Sequence, residues 1–168
     1  MSQVPEIRMQ DSASLIVFGP IDRLGADNIF HHISGMELFR GLTSRGVWFC
    51  SRRVTIQAGT PVLFYLKHTG VVGSALIQSA STVEECDNSI LSRYGLIGYF
   101  RTKLGITDTT RIDPAVDLKP LIQRLGFIAN KGNHWGTSLR STPRRIPKTD
   151  FNLIIARAKS HDKRRRAE

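Results

Sequence analysis

Val62-Leu-Phe-Tyr-Leu66, then Lys67-His-Thr-Gly70, then Val71-Val-Gly-Ser-Ala-Leu-Ile77 is the stretch that decides the fold. Two runs rich in β-branched and aromatic residues flank four polar residues ending in glycine, the pattern of an antiparallel hairpin. Gly73, Ser74 and Ala75 are small for a strand interior, where small residues mark a bulge, a close backbone or a ligand. Toward the N-terminus, Leu15-Ile-Val-Phe18 closed by Gly19-Pro20 reads as a buried first strand, and Gly46-Val-Trp-Phe-Cys50 as another. Between them Ile29, Ile33, Met36 and Phe39 recur at helical spacing, predicting helix within 25–42 that Gly35 can divide.

Toward the C-terminus, Ser81-Thr-Val-Glu84 has the form of a capping box. The apolar positions Val83, Cys86, Ile90 and Tyr94 behind it predict a helix of about three turns. Residues 109–114 and 116–118 resemble exposed strand, and Leu118, Leu121, Ile122 and Leu125 a short helix stopped by Gly126. An ordered loop over 127–135 leads to a strand at 136–140. Thr149 is the expected N-cap of a last helix whose apolar stripe is Phe151, Ile154, Ile155 and Ala158. Together these elements predict one α+β domain, a small partly closed β-barrel with peripheral helices. Its parts are a flexible N-terminus over 1–12, the domain over 13–158 and a basic tail over 159–168.

The chain has 168 residues, enough for its own core without disulfide or structural metal, and its unusual property is charge. It carries 24 Lys and Arg against 14 Asp and Glu, a net +10. Residues 1–118 hold 11 of each sign, so the whole excess lies in the last 50 residues. Removing 157–168 still leaves +6, so the basic tail alone does not explain it. A polyanionic partner is expected, with nucleic acid, DNA or RNA, ahead of an anionic membrane. No apolar stretch approaches a signal peptide or a membrane span, which predicts a soluble cytoplasmic protein that engages no membrane. Cys50 and Cys86 form no CxxC and read as two buried free thiols.

Signatures of enzyme chemistry are missing. There is no GxxxxGK[ST] or GxGxxG, and His31, His32, His68, His134 and His161 show neither HExxH nor zinc-finger spacing. No Gly-x-Ser-x-Gly elbow is found, and Asp22, Asp27 and Glu37 have no spacing that marks an acid/base or metal pair. No cofactor, metal or catalytic residue is therefore assigned, and a binding role is favoured over an enzymatic one.

What the sequence does offer, twice, is aromatic residues beside cations. Trp48-Phe-Cys-Ser-Arg52-Arg53 runs an aromatic strand into two arginines. Lys131-Gly-Asn-His-Trp135, with Arg140 and Arg144-Arg145 close behind, repeats the association in the basic half. An indole can stack on a base while a guanidinium takes a phosphate bidentately. Each tryptophan can equally be a core residue with its N–H satisfied.

These segments carry a family resemblance. Trp48 followed by Arg52 or Arg53, Gly59-Thr60 before a strand with Phe64-Tyr65, and the hairpin return Gly70-Val-Val-Gly73 resemble the EVE domains of the PUA-like superfamily. The later short helix, Trp135-Gly136, Arg145-Ile-Pro147 and closing helix resemble that family's ending. The resemblance implies a reader of modified bases held in an aromatic pocket. It makes Trp48 and Tyr65 the pocket candidates, Trp135 a possible opposite wall, and Arg52, Arg53, Lys131, Arg140, Arg144 and Arg145 the phosphate ligands. His68, at the hairpin tip, could touch nucleic-acid backbone or sit in solvent. The alternatives are a small nuclease like the related ASCH domains, whose Gly-x-Lys-x-x-Glu signature is missing here, and an adaptor that binds RNA by shape. Oligomeric state is left open by the sequence.

Overall fold

The computed structural model describes residues 12–25, 28–140, 142–165 and residue 167. In chain order the strands are β1 Ser12–Phe18, β2 Ile21–Leu24, β3 Phe30–Ile33, β4 Val47–Cys50, β5 Pro61–Leu66, β6 Gly70–Thr82, β7 Thr102–Val116 and β8 Arg144–Pro147. The α-helices are α1 Gly35–Thr43, α2 Asn88–Leu91 and α3 Lys148–Arg165. Six strands form one sheet in the order β4-β7-β6-β5-β1-β8, and β2-β3 form a separate ribbon. The pairing of β1 with β5 is parallel, and all the others are antiparallel.

The hairpin is where the sequence placed it, with Phe64 opposite Gly73 and a register shift between Phe64 and Tyr65. Gly73 is small because neighbours crowd it. A Cβ there would collide with the Phe39 ring and lie 3.0 Å from the Thr110 carbonyl oxygen. Because side chains alternate along a strand, β1 and β5 feed two cores on opposite faces of the sheet. Ile16, Phe18, Val62, Phe64 and Leu66 join Leu38, Phe39 and Leu42 of α1, whereas Ala13, Leu15, Val17, Leu63 and Tyr65 join Ile154 of α3 and the segment after β7. That alternation decides which aromatic residues can meet.

The expected barrel is corrected to an open sheet. Arg52, just past β4, donates to the carbonyl of Pro143, just before β8, at 3.2 Å. The two edges thus approach, yet no backbone ladder joins β4 to β8 among the described residues. The helix expected within 25–42 is also corrected, to the β2-β3 ribbon followed by a shorter helix. Gly25 and Ile29 close a turn by hydrogen bond, Asn28 adopts φ 59°, and the helix begins only where the Ser34 hydroxyl accepts from the Glu37 N–H. Of the residues that mimicked a helical stripe, Ile29 is exposed and Ile33 faces the core from β3.

Ser81 does not cap a helix, because β6 continues to Thr82, opposite Thr102. The cap falls three residues later, where the Asp87 carboxylate accepts from the Glu84 N–H at 2.9 Å, and the three-turn helix reduces to four-residue α2 between 3-10 turns. The strand expected at 136–140 is instead a run of 3-10 turns over Ala129–Leu139. α3 starts at Lys148, ahead of the expected cap Thr149, and continues through Arg165 into the stretch read as a tail. The flexible N-terminus expected over 1–12 lies outside the described residues except Ser12, which opens β1. Cys50 is buried, its thiol pushed up to about 12 by burial against a weaker lowering pull from Arg52, while Cys86 is exposed rather than buried. Among the described residues no helix is long and apolar enough to cross a membrane.

One buried carboxylate fixes the irregular C-terminal half to α3. Asp150, in the first turn of α3 and 4% exposed, accepts from the N–H of Gly126 at 3.1 Å and of Phe127 at 3.0 Å. The positive end of the helix dipole favours its charge there. Asp150→Ala strips two amides of their partner and is expected to lower the unfolding free energy by about 3 kcal/mol. Urea denaturation measures this, and a loss below about 1 kcal/mol would show that the two amides find other partners.

Candidate functional site

A hollow of about 660 Å³ opens beside the hairpin turn. Its floor is Val17 of β1 and Tyr65 of β5, both on the α3 side of the sheet. One wall is the turn Lys67-His68-Thr69. A second is Asp117 and Lys119 after β7, and the third is Trp135, Gly136, Leu139, Arg140 and Thr142. The turn is tight: Thr69 N–H donates to Leu66 O at 3.0 Å, and Gly70 adopts φ 125° with its Cα against the Val116 carbonyl, where any Cβ would sit 2.5 Å from the oxygen. Only glycine fits, so the hairpin turn and the end of β7 are held side by side.

The third wall belongs to neither a strand nor an α-helix, and side chains hold it in place. Arg144 donates to Ser138 O at 2.8 Å and Phe127 O at 3.3 Å, with its guanidinium carbon 5.5 Å from the centre of the Phe127 ring. Thr142 Oγ1 accepts from the Val17 N–H at 2.9 Å, which binds the segment to β1 at the rim of the hollow. Trp135 is thereby kept half-buried, packed on the second core while also lining the hollow.

The structure brings Tyr65, Trp135 and Arg140 together and separates the other candidates. Trp48 is 3% exposed and lies in the opposite core, its ring centre 5.0 Å from Phe18 and 4.9 Å from Phe64. It contributes instead to the floor of a second hollow, of about 850 Å³, next to the first. Arg52, Arg53 and Arg145 line a third, of about 360 Å³, together with Ser12, Ser14 and Thr60. Arg144 has its guanidinium turned to backbone carbonyls and serves as a brace rather than a displayed cation. The Lys131 side chain lies outside the described residues. His68 is exposed on the first hollow's wall with φ 64°. His31 and His32 stand on β3, and His32 bonds Asp22 of β2, a contact that raises its pKa. Asp27, the middle member of the acidic trio, lies outside the described residues, and among the described residues no three His, Cys, Asp or Glu side chains gather as a metal site.

Two site residues escaped the sequence reading, Lys67 and Lys119. Lys67 follows β5 directly, and Lys119 opens a 3-10 turn three residues past the end of β7. The signal available was a lysine two residues past Tyr65 and another just past Leu118. With Arg140 they place three cations around the hollow against a single carboxylate, Asp117, which accepts from the Lys119 N–H at 3.0 Å. Burial raises the Tyr65 pKa, and the charge of Asp117 adds to the rise, so the phenol stays protonated and can donate a hydrogen bond into the hollow.

No family model matches this chain and no curated protein matches it. Solved structures do. The chain is similar to ASCH from Zymomonas mobilis, with 14% identity, 86% of this chain and 94% of that chain covered and a TM-score of 0.49. It is similar also to a serine-to-alanine variant of that protein, ZmASCH, with 16% identity, the same coverage of 86% and 94% and a TM-score of 0.50. At such identity the likeness speaks for the fold alone, which is mixed α+β.

The electrostatics of the floor can be checked directly. Asp117→Asn is expected to let Tyr65 ionise at lower pH than in the wild-type protein, seen in the phenolate absorbance of a chain with only three tyrosines. An unchanged titration curve would place the Asp117 charge away from the phenol.

Proposed function

We propose that the chain binds nucleic acid, holding a base in the hollow between Tyr65 and Trp135 while Lys67, Lys119 and Arg140 take the flanking phosphates. One observation carries this reading. Two aromatic residues distant in sequence line a single concave surface whose rim is cationic. Flat apolar faces serve any base, and cations around them serve the backbone. The charge excess of the last 50 residues supplies long-range attraction. Arg52, Arg53 and Arg145 extend the phosphate-binding surface along the β4 and β8 edges.

The same reading extends to modified bases, as the resemblance to EVE domains implies. A base of about ten heavy atoms, at no more than about 30 Å³ each, fills at most about half of the hollow, leaving room for added groups. Since a base must leave its stack to enter, and that costs a few kcal/mol, the strand it comes from is single or locally open.

Binding of labelled RNA and DNA oligonucleotides, followed by anisotropy at several salt concentrations, tests the proposal. Trp135→Ala is expected to weaken binding by about 1–3 kcal/mol, roughly 5- to 150-fold, and Arg140→Ala to flatten the salt dependence by about one phosphate contact. Wild-type affinity and salt slope in both variants would overturn it. A panel of modified nucleosides, of which none binds better than its plain parent, would remove the modified-base reading and leave a general binder.

A further inference from the structure

We infer that the binding unit is two successive nucleotides of a single strand, the second base lying in the hollow above Trp48 and the phosphate between them on a ridge made by Lys67 and Arg140. This rests on the proposed base site at Tyr65 and Trp135 and adds a second subsite and a strand path to it. Its origin is a shared boundary: Val17, Lys67, Arg140 and Thr142 line both the first hollow and the second. Neighbouring bases in a strand are joined through one phosphate, so two base sites on one strand require an anion site between them. The ridge provides it. Lys67 and Arg140 are exposed, and among the described residues neither side chain has a hydrogen-bond or ion-pair partner, so both cations are available to the phosphate.

The second hollow has the chemistry of a base site. Its far rim carries Arg23, Leu24, Tyr99 and Phe100. Tyr99 is 50% exposed and Leu24 57%, large apolar surfaces left in water at the edge of a concavity. The Arg23 guanidinium carbon sits 4.8 Å from the centre of the Tyr99 ring, and Phe100 meets that ring edge-on at 5.0 Å, so the ring is braced on two sides. A half-exposed aromatic ring with a guanidinium over its face gives a base an aromatic–cation stack to join. Charge agrees, because Arg23, Lys67 and Arg140 face a single carboxylate there, Asp22, which is already bonded to His32.

At the end of β1, the first hollow rests on Tyr65 of one core and the second on Ile16, Phe18 and Trp48 of the other. Bases entering both must splay apart across the end of that strand. A duplex, whose bases stay stacked and paired, cannot do this, and the recognised class is an unstacked single strand.

Titrations with a nucleoside, its 5′-monophosphate and the dinucleoside monophosphate test the inference on the full chain, followed by tryptophan fluorescence and calorimetry. In the wild-type protein the dinucleoside monophosphate is expected to bind at least about tenfold more tightly than the nucleoside. Tyr99→Ala and Arg140→Ala are each expected to bring that ratio close to one. A ratio near one in the wild-type protein, or one unmoved by either variant, would overturn the second subsite while nucleoside binding sensitive to Trp135→Ala still upheld the first. Tight binding of longer strands that Trp135→Ala does not weaken would overturn both. Thermal melting of each variant separates a binding loss from unfolding, because Tyr99 and Arg140 are surface residues whose replacement leaves both cores intact.

Discussion

The candidate site depends on tethers between side chains and backbone that hold an irregular segment against a regular sheet. Among the described residues between Gly126 and Pro143, neither a strand ladder nor an α-helix sets the position of the chain. Asp150 fastens the start of the segment to α3, Arg144 fastens its middle to β8, and Thr142 fastens its end to β1. Each tether satisfies backbone groups that would otherwise be unpaired in a partly dry environment, which is why short polar contacts can define the shape of a wall. Trp135 and Arg140 inherit their positions from those contacts. A loop held this way gives function to a segment that the sheet itself does not constrain.

Strand parity is the second constraint. Tyr65 and Trp48 are both aromatic, both on strands and both beside cations in sequence, and they face different cores. Phe64 and Tyr65 are adjacent, so one of them must point away from Trp48. It is Phe64 that packs on the indole, and Tyr65 turns to the α3 side. The sheet therefore offers two concavities separated by the thickness of β1, with a cationic ridge where that strand ends.

Much of the sheet was legible from residue pattern. The hairpin, the first strand and β4 are short runs of β-branched and aromatic residues bounded by glycine or polar turns, and the structure has them in place. The helical reading of 25–34 failed because apolar spacing of four and three also fits a ribbon followed by a helix, and the Ser34 cap was the stronger local signal. The N-terminal half of β7 was missed because Thr102–Thr107 gain their strand state from β4 and β6 on either side rather than from their own composition. At the site, the sequence showed aromatic residues next to cations but not which clusters converge, since that depends on strand parity and on the tethers. Arg144 looked like the neighbouring arginines and became a brace, while Lys67 and Lys119 were plain turn residues until the fold set them around one hollow.

The charge pattern also gains meaning in three dimensions, because α3 carries much of the basic excess and packs on the same face of the sheet as Tyr65. That leaves two ways to hold a polyanion, nonspecifically along α3 or with a base seated in the hollow. Photocrosslinking of a single-stranded oligonucleotide carrying a thio-substituted base, followed by mapping of the linked peptides, separates them most directly. Crosslinks to the peptides containing Tyr65 and Trp135 are expected. Crosslinks confined to α3 would contradict a base seated in the hollow.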